Sequence, residues 1–282
     1  MMSQEFPRTM IENLSVSRLL IGTNWFLGYS HTTAAADRYI QTRVTDDDAA
    51  GIVEAFLRAG VDTIVGFAHN EKMMKAIKAG EDRVGRKVII VSTPHFDLSG
   101  TPAAEAVNMK MLDEEAALGA AVCMPHQGTT DTLCNRLTRN IPGMEKICKA
   151  IRDRGMIPGL STHMPEVPIY ADESNLDVAT YIQLYNPVGF LMQIEVEWVQ
   201  RVMQTLKKPV MTIKPMAAGR VTPLVGLGFV WATIRDIDMV TVGTMSADEA
   251  KECVEISLSL LSRQAQTFQL QRTRSKKSID GK

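Results

Sequence analysis

The sequence predicts an α/β protein, a (β/α)8 TIM barrel with a closed eight-stranded parallel sheet. Three observations carry that reading. Short β-type runs alternate with longer helical runs, eight times within ~250 residues, the usual span of this fold. Several helical runs end on Gly or a basic turn just before the next strand, as in Ala59-Gly60, Leu118-Gly119, Arg154-Gly155 and Lys207-Lys208. Gly takes the left-handed cap of a helix at little cost. Third, all five histidines follow strand-like runs: His31, His69, His95, His126 and His163. In parallel strands that alternate with helices, such positions share one face of the barrel.

The strands are placed near 18–25, 61–67, 87–93, 120–124, 156–161, 178–185, 209–214 and 239–243. Between them the helices are legible. Thr45 caps an acidic first turn, Asp46 to Asp48, and Ile52, Phe56 and Ala59 form one face. Pro142 opens a helix with Met144, Ile147 and Ile151 on one stripe. Val196, Val199, Val202 and Leu206 form the next stripe. Ser246-Ala-Asp-Glu249 reads as a capping box, with Ala250, Cys253 and Ile256 facing inward behind it. The rival, an open doubly wound sheet, lacks its G-x-G-x-x-G turn. The reading is one barrel domain over 1–262 and a polar tail over 263–282, a frayed helix and then disorder.

Composition narrows the partners. With 282 residues, 45% of them hydrophobic, the chain can bury a sizeable core. A net charge of −1 offers no field for nucleic acid or an anionic membrane. Four cysteines without a C-x-x-C pair argue against a thiolate zinc site and a disulfide framework. No apolar run reaches transmembrane length, and the first residues lack a signal-peptide pattern. A cytoplasmic protein acting on a small molecule is expected, its oligomeric state left open.

The chemistry of such barrels sits on the loops after the strands. Those loops offer Asn24, Trp25, Tyr29 and His31; His69 and Glu71; His95 and Asp97; His126 and Gln127; His163 and Glu166; Tyr185-Asn186; Lys214; and Gly243-Thr244. Imidazole is a common metal ligand and the usual acid/base near neutral pH. His69, His95, His126 and His163 are therefore candidate ligands for Zn, Mn or Fe. The other reading makes them hydrogen-bonding groups, with His126, His69 and Lys214 as the catalytic set. Trp25, His31, Asn186, Arg220, Gly243 and Ser246 are candidate substrate-binding residues, the last three at the usual barrel phosphate position. Lys214, closing an apolar strand, can bind an anion, move a proton or form a Schiff base.

Several segments resemble the aldo/keto reductase family: the run from Val16 to Thr23, Ala59 to Ile64, Gly159 to Glu166, Gln183 to Asn186, Lys214 to Arg220 and Val240 to Glu249. The resemblance implies the barrel fold and a reductase using Asp, Tyr, Lys and His with NADPH. His126 matches that family's fourth-strand His. The second strand runs Val65-Gly-Phe-Ala-His-Asn70 where the family has Asp-Thr-Ala and then Tyr, and Thr93-Pro94 replace its Lys. Ser246 to Lys251 shows no basic pocket for a 2′-phosphate, so NADP is not expected. The leading expectation is an isomerase, epimerase or lyase moving a proton on a sugar-like or hydroxy-acid substrate. An NAD(P)H oxidoreductase with an altered tetrad and a non-catalytic binding barrel are the alternatives.

Overall fold

A computed structural model describes residues 5–265 and 270. It opens with an antiparallel hairpin, β1 (Arg8–Ile11) and β2 (Leu14–Ser17), in which Ile11 pairs with Leu14 across a two-residue turn. Glu12, in that turn, takes the left-handed backbone at φ 53°. The sequence reading did not anticipate this hairpin, because its strands carry polar Thr9, Ser15 and Ser17 among few apolar residues.

The barrel follows. Its first half contains β3 (Leu19–Gly22), α1 (Ala34–Arg43), α2 (Asp46–Arg58), β4 (Thr63–Gly66), α3 (Glu71–Val84), β5 (Ile89–Ser92), α4 (Pro102–Ala117) and β6 (Ala120–Cys123). Then come α5 (Gln127–Leu133), α6 (Met144–Arg152), β7 (Ile157–Pro158), β8 (Leu160–Thr162), α7 (Glu166–Glu173), β9 (Tyr181–Leu184) and α8 (Val196–Thr205). The last elements are β10 (Val210–Ile213), α9 (Pro223–Thr233), β11 (Met239–Gly243) and α10 (Ala247–Ser262).

The sheet order is β7-β6-β5-β4-β3-β11-β10-β9-β8, all parallel. Its two ends are halves of one strand interrupted at Gly159. Gly159 N donates to Cys123 O at 3.1 Å, and Leu160 N donates to Thr180 O at 3.1 Å on the other side. Nine segments thus fill eight strand positions, and the sheet closes. A Cβ at Gly159 would stand 2.8 Å from Thr180 O, so the closure needs glycine.

Side chains alternate across each strand. Leu19 and Ile21 join the helix-facing core, while Leu20 joins a separate cluster inside the barrel. Val65, Val91, Val122, Ile182, Met211 and Met239 point into that interior, joined by Ile11 and Val16 from the hairpin. The hairpin therefore plugs the end where the strands begin. It is tied there by Thr9 Oγ1 donating to Ile237 O (3.0 Å) and by the Arg8–Asp62 pair (2.7 Å). Among the described residues, no helix is long and apolar enough to cross a membrane.

Caps match the sequence with two changes, the first at α6, where Pro142 stands ahead of the Gly143 N-cap instead of opening the helix. Thr45 and Asp48 form a reciprocal box at α2. Ser246 accepts from Glu249 N at 3.2 Å, but Glu249 reaches one residue further back, accepting from Met245 N at 2.7 Å. Of the tail expected over 263–282, only 263–265 and 270 belong to the described residues.

Candidate active site

At the end of the barrel opposite the hairpin, the loops enclose a cavity of about 1180 Å³. His31, His95, His126, His163, Lys214, Trp25, Arg220 and Gly243 all line it. Each is placed by a local feature. His126 leaves β6 and caps α5: Gly128 N donates to its Nδ1 at 3.1 Å. With Nδ1 accepting, the proton of the neutral ring sits on Nε2, which makes no hydrogen bond among the described residues. His95 packs against His126 with ring centroids 3.8 Å apart, and Phe67 backs both at 5.5 and 5.6 Å.

His163 is held through its backbone. Its N–H donates to Asp131 Oδ2 at 3.0 Å, and Thr162 Oγ1 donates to the other oxygen of the same carboxylate. Burial pushes the Asp131 carboxyl up, although both hydrogen bonds oppose this. His31 sits at φ 57°, and the Asn24 amide donates to its Nε2 at 2.8 Å. Trp25 lies across the end of β11, where a Cβ on Gly243 would come within 2.7 Å of its ring.

Lys214 ends β10 with φ 61°, and Ala217, Ala218 and Gly219 also take left-handed backbone. For a non-glycine residue that conformation costs of order 1–3 kcal/mol and persists only where the surroundings impose it. The reversal holds the lysine at the mouth, with Ala217 N donating to Lys214 O at 2.9 Å.

The electrostatics follow from one ammonium among imidazoles. Burial pushes the Lys214 amine down to about 8. Burial, then the neighbouring Lys214 charge, lowers His31 to about 4. Burial, His95 and Lys214 lower His126 to about 4. Burial, Lys214, His126 and His31 lower His163 to about 3. All three rings are neutral at pH 7.

Three candidates stand apart from this cavity. His69 is turned toward α4, with Nε2 3.0 Å from Glu115 Oε1 and 3.9 Å from Glu114 Oε2. Asn186 folds its own loop: its Oδ1 accepts from Phe190 N at 2.8 Å and its Nδ2 donates to Phe190 O at 3.0 Å. Ser246 serves as the α10 cap. The four-imidazole metal set is thus not assembled, and among the described residues no three His, Cys, Asp or Glu side chains are placed to hold a metal ion. Zn, Mn or Fe therefore finds no three-ligand set among the described residues.

Sequence reasoning missed Phe67, Asp131, Thr241 and the acidic far wall, Glu249 and Glu252. Asp131 carried no signal, because its partners, His163 N and Thr162 Oγ1, lie about thirty residues away in the chain, at the end of β8. Arg220 lies over the Phe190 ring at 4.1 Å and donates to Ala217 O, and Glu249 and Glu252 line the same cavity.

No protein-family model and no curated protein matches the sequence. Solved structures do match. A Pseudomonas aeruginosa protein described as an aldo-keto reductase shares 15% identity over 93% of this chain and 100% of its own, with a TM-score of 0.64. An aldo/keto reductase from Brucella melitensis shares 14% identity over 96% of each chain, with a TM-score of 0.55. A protein described as a 2,5-diketo-D-gluconic acid reductase B shares 13% over 92% of each chain, with a TM-score of 0.54. At such identities the likeness is one of fold: the chain shares its barrel architecture with solved structures described as aldo/keto reductases.

Proposed function

We propose that this protein is an enzyme that moves a proton at the carbon beside the carbonyl of a small hydroxylated substrate, giving isomerisation or epimerisation. The observation that carries the reading is the fixed tautomer of His126. Its Nδ1 is occupied by Gly128 N, so a neutral ring presents Nε2–H as a donor in a cavity that also holds Lys214. Such a donor stabilises oxygen charge as it develops when a neighbouring C–H is lost. His95, in ring contact with His126, and His163 supply further imidazole edges, and Lys214 supplies charge or a proton. Trp25 and Phe67 offer apolar walls that displace water from the reacting carbon.

The test is hydrogen–deuterium exchange. Glyceraldehyde, dihydroxyacetone and a panel of aldoses and ketoses are incubated with the protein in D2O and followed by NMR. Exchange at the carbon beside the carbonyl, lost in His126→Asn, supports the proposal. No exchange with any member of the panel overturns it.

A second reading, nicotinamide-dependent carbonyl reduction, draws on the fold neighbours described as reductases and on a cavity that runs past the mouth to Thr244 and Glu252. It lacks the Tyr and Lys of the resembling family. Titration with NADH and NADPH, with hydride transfer to an aldehyde as the readout, separates it from the first.

A further inference from the structure

We propose that Lys214 is a covalent nucleophile, its side-chain amine condensing with the carbonyl of a small hydroxy-aldehyde or hydroxy-ketone to form an imine in the barrel mouth. The inference rests on the carbonyl reading above and assigns the lysine a bond rather than a charge.

Three described lysines are half-buried, and they are used differently. Lys72 donates to Val44 O. Lys208 pairs with Asp172 at 2.9 Å and donates to Tyr181 Oη at 3.2 Å. The Lys214 amine makes no hydrogen bond or ion pair among the described residues, although the residue lines a cavity of about 1180 Å³. An ammonium without an anion in a desolvated wall is a poor structural choice and a good nucleophile, because desolvation releases the neutral amine. Burial is the sole cause lowering the Lys214 amine, and no carboxylate opposes it. The left-handed backbone at φ 61° holds the residue at this point of the mouth and is a strain that packing alone does not call for.

The surrounding imidazoles favour the covalent route. His31, His126 and His163 stay neutral down to about pH 3–4, so they are weak bases. A carbon beside an ordinary carbonyl demands a stronger base at neutral pH. A protonated imine is a far better electron sink than a carbonyl, and it lowers that demand.

The step balances without any redox partner. The Lys214 nitrogen attacks the carbonyl carbon as His126 Nε2–H polarises the oxygen. A C–N bond forms and the carbonyl C–O bond breaks, the oxygen leaving as water with one proton from the lysine nitrogen and one drawn from solvent, and the lysine becomes a protonated imine. An imidazole then takes the adjacent C–H proton, the C–H electron pair forms an enamine, and proton return from the other face or to the neighbouring carbon precedes hydrolysis to the free amine.

The experiment is reductive trapping. The whole protein is mixed with dihydroxyacetone or glyceraldehyde and sodium cyanoborohydride, which delivers hydride to the imine and makes it a stable amine. Peptide mass spectrometry then reads every lysine. The expected result is labelling of Lys214 at least tenfold faster than any surface lysine, with Lys214→Met and Lys214→Arg giving only the slow surface labelling. Lys214 labelling no faster than the surface lysines overturns the proposal. The D2O exchange assay, run on the same variants, separates it from the underlying reading. Exchange that persists in Lys214→Arg sinks the imine and leaves proton transfer standing, whereas fast trapping of Lys214 with no exchange in the wild type sinks proton transfer and leaves the imine.

Discussion

At the end where the strands begin, Leu20, Met211 and Met239 are fully buried, and Ile11 and Val16 of the β1–β2 hairpin, themselves fully buried, plug the barrel over them. At the other end, the same strands deliver four imidazoles and an unpaired lysine into an open cavity. The plugged end gains from apolar burial, about 25 cal/mol per Å². The mouth does the reverse: it holds ionisable groups in a setting that disfavours their charge, and strained backbone at Lys214, Ala217 and Ala218. One sheet therefore separates stability from chemistry along its own length. Substitutions at the two ends should separate accordingly.

The largest expected effect is on activity at the mouth. In His126→Asn, the amide oxygen still accepts from Gly128 N and still caps α5, while Nε2–H is gone. Proton exchange on the substrate should fall ~10²–10⁴-fold, the usual loss for one acid/base group, with the melting temperature unchanged. Equal loss of stability and activity would erase the distinction between the two ends. At the plug, Leu20→Ala should cost ~2–5 kcal/mol in urea unfolding and leave exchange kinetics intact. A cost under ~1 kcal/mol there would mean that the interior cluster collapses around the gap.

The plug and the mouth also differ in how much of them the sequence disclosed. The alternation of Leu20 against Leu19 and Ile21 follows from the period of a strand, so the barrel and its inward residues were readable. His95, His126 and His163 were placed together because a parallel barrel fixes which loops meet. His69 obeyed the same rule and still turned away, because a buried carboxylate on α4, Glu115, lies 3.0 Å from its ring. A pairing across helices has no sequence period. The hairpin escaped for a different reason: Arg8, Thr9, Ser15 and Ser17 interrupt the apolar runs of its strands.

pH sharpens the comparison next. His31, His126 and His163 have folded values of about 4, 4 and 3 against an ordinary 6.5. Above pH 6.5 these rings are neutral in both states. As pH falls below 6.5, the unfolded chain takes up protons that the folded one refuses, so stability falls until about pH 4–3. Lys214 acts likewise between 10.5 and about 8. Asp131 and Glu115, whose carboxyls burial pushes up, work in the opposite direction. Thermal melts of the wild type and His163→Asn isolate the mouth: the variant should lose less melting temperature between pH 7 and pH 5. Superimposable curves would show that His163 does not titrate as its surroundings dictate.

The smallest expected effect decides whether Ser246 belongs to the mouth or to the frame around it. Its side chain accepts from Glu249 N at 3.2 Å, the bond of an N-cap, and the hydroxyl lies outside the cavity lining. Neighbouring Thr244 does line the cavity, and its buried Oγ1 has no partner among the described residues. If Ser246 is frame, Ser246→Ala should cost about 1 kcal/mol of stability, the usual loss for a helix cap, and leave the substrate KM unchanged. Thr244→Val, equal in shape, should then do the opposite, keeping stability while altering the affinity of whatever enters the far lobe. A raised KM in Ser246→Ala at full stability would add the α10 cap to the site, beside Glu249 and Glu252 that already line the cavity.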